Sequence, residues 1–165
     1  MSGVNHNLTN APAIAGVFAQ FSNGTDQTTD LYSAVYAPIP IFTSEEFGNY
    51  SSEFTKNSTT ELQVNFDGIL WIGAVMLIQY ANEERSLMTA RVYKNGSAVG
   101  PTSGVSYMRS TSSSTDESAC VLNRFFMPVA DGDLIELRAV NTFNNVTTTT
   151  FYGNNLSYII LTRVG

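Results

Sequence analysis

Charge is scarce in this chain. Only 13% of its 165 residues are Asp, Glu, Lys or Arg, about half the share of an ordinary globular protein. Fourteen acidic residues outnumber eight basic ones, for a formal net charge of -6. The basic residues stand singly, at Lys56, Arg85, Arg91, Lys94, Arg109, Arg124, Arg138 and Arg163. They build no basic face, which argues against nucleic acid or an anionic membrane as partner. The one cysteine, Cys120, excludes an intrachain disulfide. Its apolar setting predicts a buried small hydrophobe rather than a reactive thiol. The one histidine, His6, lies close to the N-terminus, where nothing holds an imidazole against a cleft for nucleophilic catalysis. One Cys and one His supply no zinc set, and no Gly-rich phosphate loop occurs. The residues therefore advertise neither an enzyme nor a cofactor. The longest apolar run, Ile69–Ile78, is too short to span a bilayer as a helix. The start, Met-Ser-Gly-Val-Asn-His, lacks the basic region and apolar core of a secretory signal, so a soluble protein made without a leader is expected.

Ser, Thr, Asn and Gly fill the place of the missing charge. Sequons at Asn7, Asn23, Asn49, Asn57, Asn95, Asn145 and Asn155 follow from that composition and need a secretory route to matter. A chain of this length fits one domain, which buries roughly 70% of its unfolded surface and needs no staple.

Apolar segments are rich in β-branched and aromatic residues and lack helical periodicity, which predicts an all-β chain. Residues 1–13 read as an extended N-terminal arm and residues 14–165 as the domain. Ile14–Phe21 is expected to be the first strand and Thr25–Asp30 a loop. Leu31–Ile41, with Pro38 and Pro40, suits an edge strand or an extended connection. Thr43–Phe47 suits one helical turn. In Glu61–Phe66, Leu62, Val64 and Phe66 fall on one face. After Asp67-Gly68, the run Ile69–Ile78 is apolar on both faces, so a second layer or a neighbouring subunit must cover the face turned from the core. Leu87–Lys94 runs into Asn95-Gly96, the type I′ hairpin pair. Ser110–Glu117 is expected to be a polar loop and Ala119–Val129 a strand. The turn Ala130–Asp133, the strand Leu134–Val140, a polar loop Asn144–Thr150 and a closing strand Leu156–Val164 complete the chain. That makes about eight to ten short strands with turns about every 8–12 residues, the pattern of a sandwich or barrel.

Three groups of side chains are candidates for chemistry. Glu45-Glu46 and Glu83-Glu84 read as solvated pairs. Asp131 and Asp133 could offer oxygens to calcium, although a turn whose carboxylates accept backbone N–H bonds is the preferred reading. Trp71, Phe125, Phe126 and Tyr158 suit core or subunit interface better than a ligand platform.

The order of four segments resembles the tumour-necrosis-factor-like jelly roll, in particular its complement globular-head branch. They are Phe66-Asp67-Gly68-Ile69-Leu70-Trp71, Val92-Tyr93-Lys94-Asn95-Gly96, Asp131-Gly132-Asp133-Leu134-Ile135-Glu136-Leu137 and Phe151-Tyr152-Gly153-Asn154-Asn155-Leu156-Ser157-Tyr158. The resemblance implies a jelly-roll β-sandwich forming a tight homotrimer, with its inner sheets meeting at a threefold axis. Trp71, Phe126 and Tyr158 are then the expected trimer residues. Similar domains occur in bacteriophage virions. Two roles follow as expectations, with the virion as location. One is a capsid decoration (cement) protein whose arm, through Val4, His6 and Leu8, reaches the major capsid protein. The other is a receptor- or glycan-binding fibre tip using Ser110–Glu117 or Asn144–Thr150.

Overall fold

In a computed structural model, the structure describes residues 17–31, 35–48, 52–80, 85–109, 117–142 and 147–164. The expected arm, residues 110–116 of the expected polar loop, and Glu83-Glu84 lie outside these residues. The described residues form strands and turns without a helix, so none is long and apolar enough to cross a membrane.

Among the described residues fourteen strands are present: β1 (Phe18–Ser22), β2 (Gln27–Leu31), β3 (Ala37–Pro38), β4 (Ser44–Gly48), β5 (Phe54–Lys56), β6 (Glu61–Val64), β7 (Gly68–Tyr80), β8 (Arg85–Lys94), β9 (Ser97–Thr102), β10 (Ser106–Arg109), β11 (Glu117–Val129), β12 (Leu134–Asn141), β13 (Thr147–Phe151) and β14 (Tyr158–Val164). They exceed the expected eight to ten because segments expected as loop or helical turn pair as strands, and because β7 and β8 are each met along one edge by two strands. One edge of β7 carries β14 and then β13, and β8 likewise carries β9 and β10.

All pairings are antiparallel, in two sheets of seven strands. The first runs β2-β13-β7-β14-β1-β4, with β11 on the other edge of β7; the second runs β10-β8-β12-β6-β5, with β3 beside β12 and β9 beside β8. Between them lies one core. Leu70, Ile72, Ala74, Met76 and Ile78 project from β7 onto Met88, Ala90 and Val92 of β8 and Ile135, Leu137 and Ala139 of β12, all buried. Each large apolar side chain so enclosed contributes about 1.5–3 kcal/mol. Phe21 meets Phe42 edge-on at 5.4 Å, and Phe54 meets Phe66 at 5.7 Å, the geometry the ring quadrupole favours.

The strongest sequence signals hold. Leu62, Val64 and Phe66 are buried together, and Asn95 and Gly96 take φ of 51° and 76°, as a type I′ turn requires. Pro38 sits in the two-residue β3 against β12, at the place a ladder tolerates proline.

Three segments differ from expectation. Residues 44–48 form β4, not a helical turn, because they pair with Ala19–Ser22 of β1, and Thr43 Oγ1 donates to Ser22 O at 2.8 Å. The expected loop Thr25–Asp30 holds β2, and the expected loop Asn144–Thr150 holds β13. These threonine-rich segments pair with each other, Thr29 opposite Thr149 and Thr28 opposite Thr150, and Thr148 Oγ1 donates to Asp30 Oδ1 at 2.7 Å. β-Branched threonine suits a pleated surface although its hydroxyl reads as loop-like.

Candidate assembly face

On β7 the outward-facing residues between Gly68 and Ile78 are Ile69, Trp71, Gly73, Val75 and Leu77. Register places Val164, Thr162, Ile160 and Tyr158 of β14 beside Ile69, Trp71, Gly73 and Val75 in turn. On the opposite side, β11 sets Pro128 beside Ile69, Phe126 beside Trp71 and Val121 beside Val75. The strand is thus apolar on both faces as expected, and among the described residues no third layer covers the outer one. Phe126 is 65% exposed and Val121 43%; Ile69 and Val164 are also exposed.

A bulge organises this face. Leu122 pairs with Ala74 and Phe125 with Ile72, leaving Asn123 and Arg124 together opposite Gly73. The extra residue reverses the parity of β11. Beyond it Met127 and Val129 point inward and Phe126 outward, while Phe125 turns to the core edge beside Gly100. Glycine is required at position 73 because a Cβ there would lie 2.6 Å from Arg124 Cγ and 3.2 Å from Leu122 O. Arg124 crosses that gap and places its guanidinium 4.6 Å from the Trp71 ring centre. Trp71 in turn stacks on Phe126 at 5.9 Å and 19°. Beside them opens a cavity of about 150 Å³, lined by Gly73, Val75, Val121, Asn123, Arg124, Tyr158 and Ile160 among others.

The three aromatics expected at an interface, Trp71, Phe126 and Tyr158, therefore share one face, whereas Phe125 leaves it. The structure adds Arg124, Gly73, Val121 and Ile160. An isolated glycine inside an apolar strand was the available signal, since it marks a bulge or a close approach. Past the apolar part, the Tyr152 hydroxyl lies 2.6 Å from Gln79 Oε1 and 3.0 Å from Glu117 Oε1. Burial, followed by the hydrogen bond and charge of Glu117 and the charge of Asp26, raises its pKa.

Other candidates play structural parts. Cys120 is buried, with Sγ 3.0 Å from Ser103 Oγ; burial pushes the thiol up, outweighing the hydrogen bonds that favour thiolate. Asp133 closes its turn: Oδ2 accepts the Ala130 N–H at 2.9 Å and sits 3.1 Å from Lys94 Nζ, while Oδ1 accepts from Asn95 Nδ2 at 2.7 Å. Asp131 is exposed, and its N–H donates to Asp67 Oδ1 at 3.0 Å. No group of His, Cys, Asp and Glu among the described residues is arranged to hold a metal ion. Glu45 and Glu46 lie on β4 rather than on a loop. Val4, His6 and Leu8 lie outside the described residues.

Asp133 makes stability depend on acid. Burial tends to raise its pKa, but the Ala130 N–H, the Asn95 amide, and the hydrogen bond and charge of Lys94 overcome this and hold it below the usual carboxylate value. A depressed folded pKa gives stability that is complete above the unfolded value, about 3.9, and is lost as pH falls through the folded value. Melting of Asp133→Asn and the parent from neutral to acid pH should show the parent losing its advantage below about pH 4. Parallel curves would contradict this role.

No family model matches the sequence, and no curated protein matches it. Solved structures do. The structure of Eiger TNF from S. frugiperda aligns at TM-score 0.58 with 14% identity, covering 91% of this chain and 93% of its own. Murine APRIL aligns at TM-score 0.57 with 8% identity, covering 90% of this chain and 99% of its own. With its two antiparallel sheets, single core and closing β14 between β1 and β7, the chain has the tumour-necrosis-factor-like jelly-roll fold.

Proposed function

We propose that the domain acts as a homotrimeric structural protein of a virion, decorating and stabilising a phage head, with the β1-β14-β7-β11 face turned towards a threefold axis. The carrying observation is that face itself. It is apolar, centred on the Trp71–Phe126 stack, and leaves Phe126 65% exposed. Contiguous exposed apolar surface marks an interaction site, and aromatic anchors are the residues that dominate interfaces. The fold supports the trimeric arrangement because the resembling family uses this sheet for it. The virion setting is supported by the Ser/Thr/Asn-rich composition with its low charge and single buried cysteine. The arm and the major capsid protein complete the reading as its contact and its partner.

Sedimentation velocity should find trimers, and the purified chain should co-sediment with undecorated capsids. Removing residues 2–13 should abolish capsid binding and leave the trimer intact. Many copies per particle support decoration; few copies, together with binding on a glycan array, would replace it with the fibre-tip role.

A further inference from the structure

Two asparagines in the chain are followed by glycine, Asn23-Gly24 and Asn95-Gly96. That dipeptide carries its own reaction. The glycine nitrogen, with no neighbouring side chain to hinder it, can attack the asparagine Cγ. A bond from nitrogen to Cγ forms, the Cγ–Nδ2 bond breaks, and ammonia leaves with the proton that the nitrogen gives up. Water then opens the succinimide ring at either carbonyl, leaving aspartate or isoaspartate.

The fold treats the two sites differently. Asn95 and Gly96 form an exposed turn, and a Cβ added at Gly96 would meet nothing within 4 Å. Water and the attacking nitrogen are therefore at hand; the carboxamide is not. Its Oδ1 accepts the Leu134 N–H at 2.8 Å, and its Nδ2 donates to Asp133 Oδ1 at 2.7 Å. Both ends of the amide are held at the start of β12. Cγ cannot turn towards Gly96 without giving up these bonds, one of them to a charged acceptor. Asp133 is itself fixed, by the Ala130 N–H and by Lys94.

Asn23 has the opposite arrangement. Its amide Nδ2 has no hydrogen-bond partner, but the residue is fully buried. Its main chain is bonded to Ser157 and Asn155. Exclusion of water guards this site, whereas a clamp guards the other.

We propose that Asn95 is a latent site of spontaneous deamidation, held unreactive by its hydrogen bond to Asp133 and released by local opening of the Ala130–Asp133 turn. The change runs one way. Aspartate at this position puts a carboxylate where Nδ2 now meets Asp133 Oδ1, so two like charges face each other. Lys94 already serves the other oxygen of Asp133. Isoaspartate lengthens the main chain within a tight turn whose dihedral angles leave no place for an extra atom. Either product opposes reclosure, and a transient opening becomes permanent.

The test incubates the full chain and its variants at mildly alkaline pH and follows both asparagines by peptide mass spectrometry. In urea, both should convert. In the native parent, both should stay intact over the same period. Asp133→Ala should speed conversion at Asn95 about tenfold or more, the worth of a hydrogen bond to a charged group, while Asn23 stays silent. Asp133→Asn, which keeps an acceptor without the charge, should fall between and serves if the alanine variant folds poorly. Ile72→Ala weakens the core without touching the clamp and should not reproduce that selective rise. Circular dichroism verifies folding. A native parent that converts Asn95 as fast as the unfolded chain overturns the clamp. So does an Asp133→Ala chain whose Asn95 stays inert or whose Asn23 keeps pace, and so does an Ile72→Ala chain that matches it at Asn95.

Discussion

If the proposed trimer forms through this face, Phe126→Glu is expected to yield folded monomers. The side chain is 65% exposed in the isolated subunit and touches its own chain chiefly through Trp71, so the fold loses little. Surface changes of this kind fall within about 0.5 kcal/mol. In the proposed trimer the same position becomes part of an apolar centre, and truncating such an aromatic anchor costs about 2–4 kcal/mol per contact. A carboxylate there adds the penalty of a buried, unpaired charge. Association should weaken by more than about a hundredfold at each contact. Sedimentation equilibrium measures it, and a variant that stays trimeric at micromolar concentration would place the assembly surface elsewhere. Because assembly raises apparent stability by mass action, melting of variant and parent should be compared at dilutions where both are monomeric.

Trp71 and Ile72 are neighbours in β7, and the second large effect separates them. Ile72 is fully buried between the sheets, so Ile72→Ala removes apolar contacts and leaves a cavity, a loss of about 2–5 kcal/mol. Trp71 lies on the opposite face, against Phe126 and Arg124. Trp71→Ala removes a half-buried ring with its contacts to Phe126 and Arg124 but opens no cavity between the sheets, so it should cost the monomer clearly less than Ile72→Ala while weakening association. Urea unfolding at low concentration reads the first effect and sedimentation the second. Equal unfolding losses for the two variants would mean that β7 has no free face.

That distinction was partly legible in the sequence. Alternation across Glu61–Phe66 reads a half-buried strand directly, and the unbroken apolar run Ile69–Ile78 shows that both faces of β7 need cover. The Asn95-Gly96 dipeptide names its own turn. Other parts escaped because they depend on distant partners. β2 and β13 are polar threonine segments that become strands by pairing with each other, 118 residues apart at the Asp30–Thr148 hydrogen bond, and β13 with β7 as well. β4 reads locally as a capped helical turn until β1 lies beside it. In β11, simple alternation from Cys120 and Leu122 would send Arg124 and Phe126 inward. The bulge decides otherwise, and it forms where Gly73 on the facing strand leaves room. A one-residue irregularity thus settles which of two adjacent phenylalanines is presented outward, and sequence periodicity alone cannot locate it.

The sealed position of Cys120 has a practical consequence. As the only thiol in the chain, and one whose ionisation burial suppresses, it stays silent to an alkylating reagent while β11 remains in place between β7 and the β8–β10 edge. Labelling then counts a single kind of event, the transient opening of that seam. Its rate over temperature or denaturant gives the free energy of local opening at the strand that also bears Phe126 and Arg124. The molecule therefore carries its own clock for how firmly the assembly face is held together.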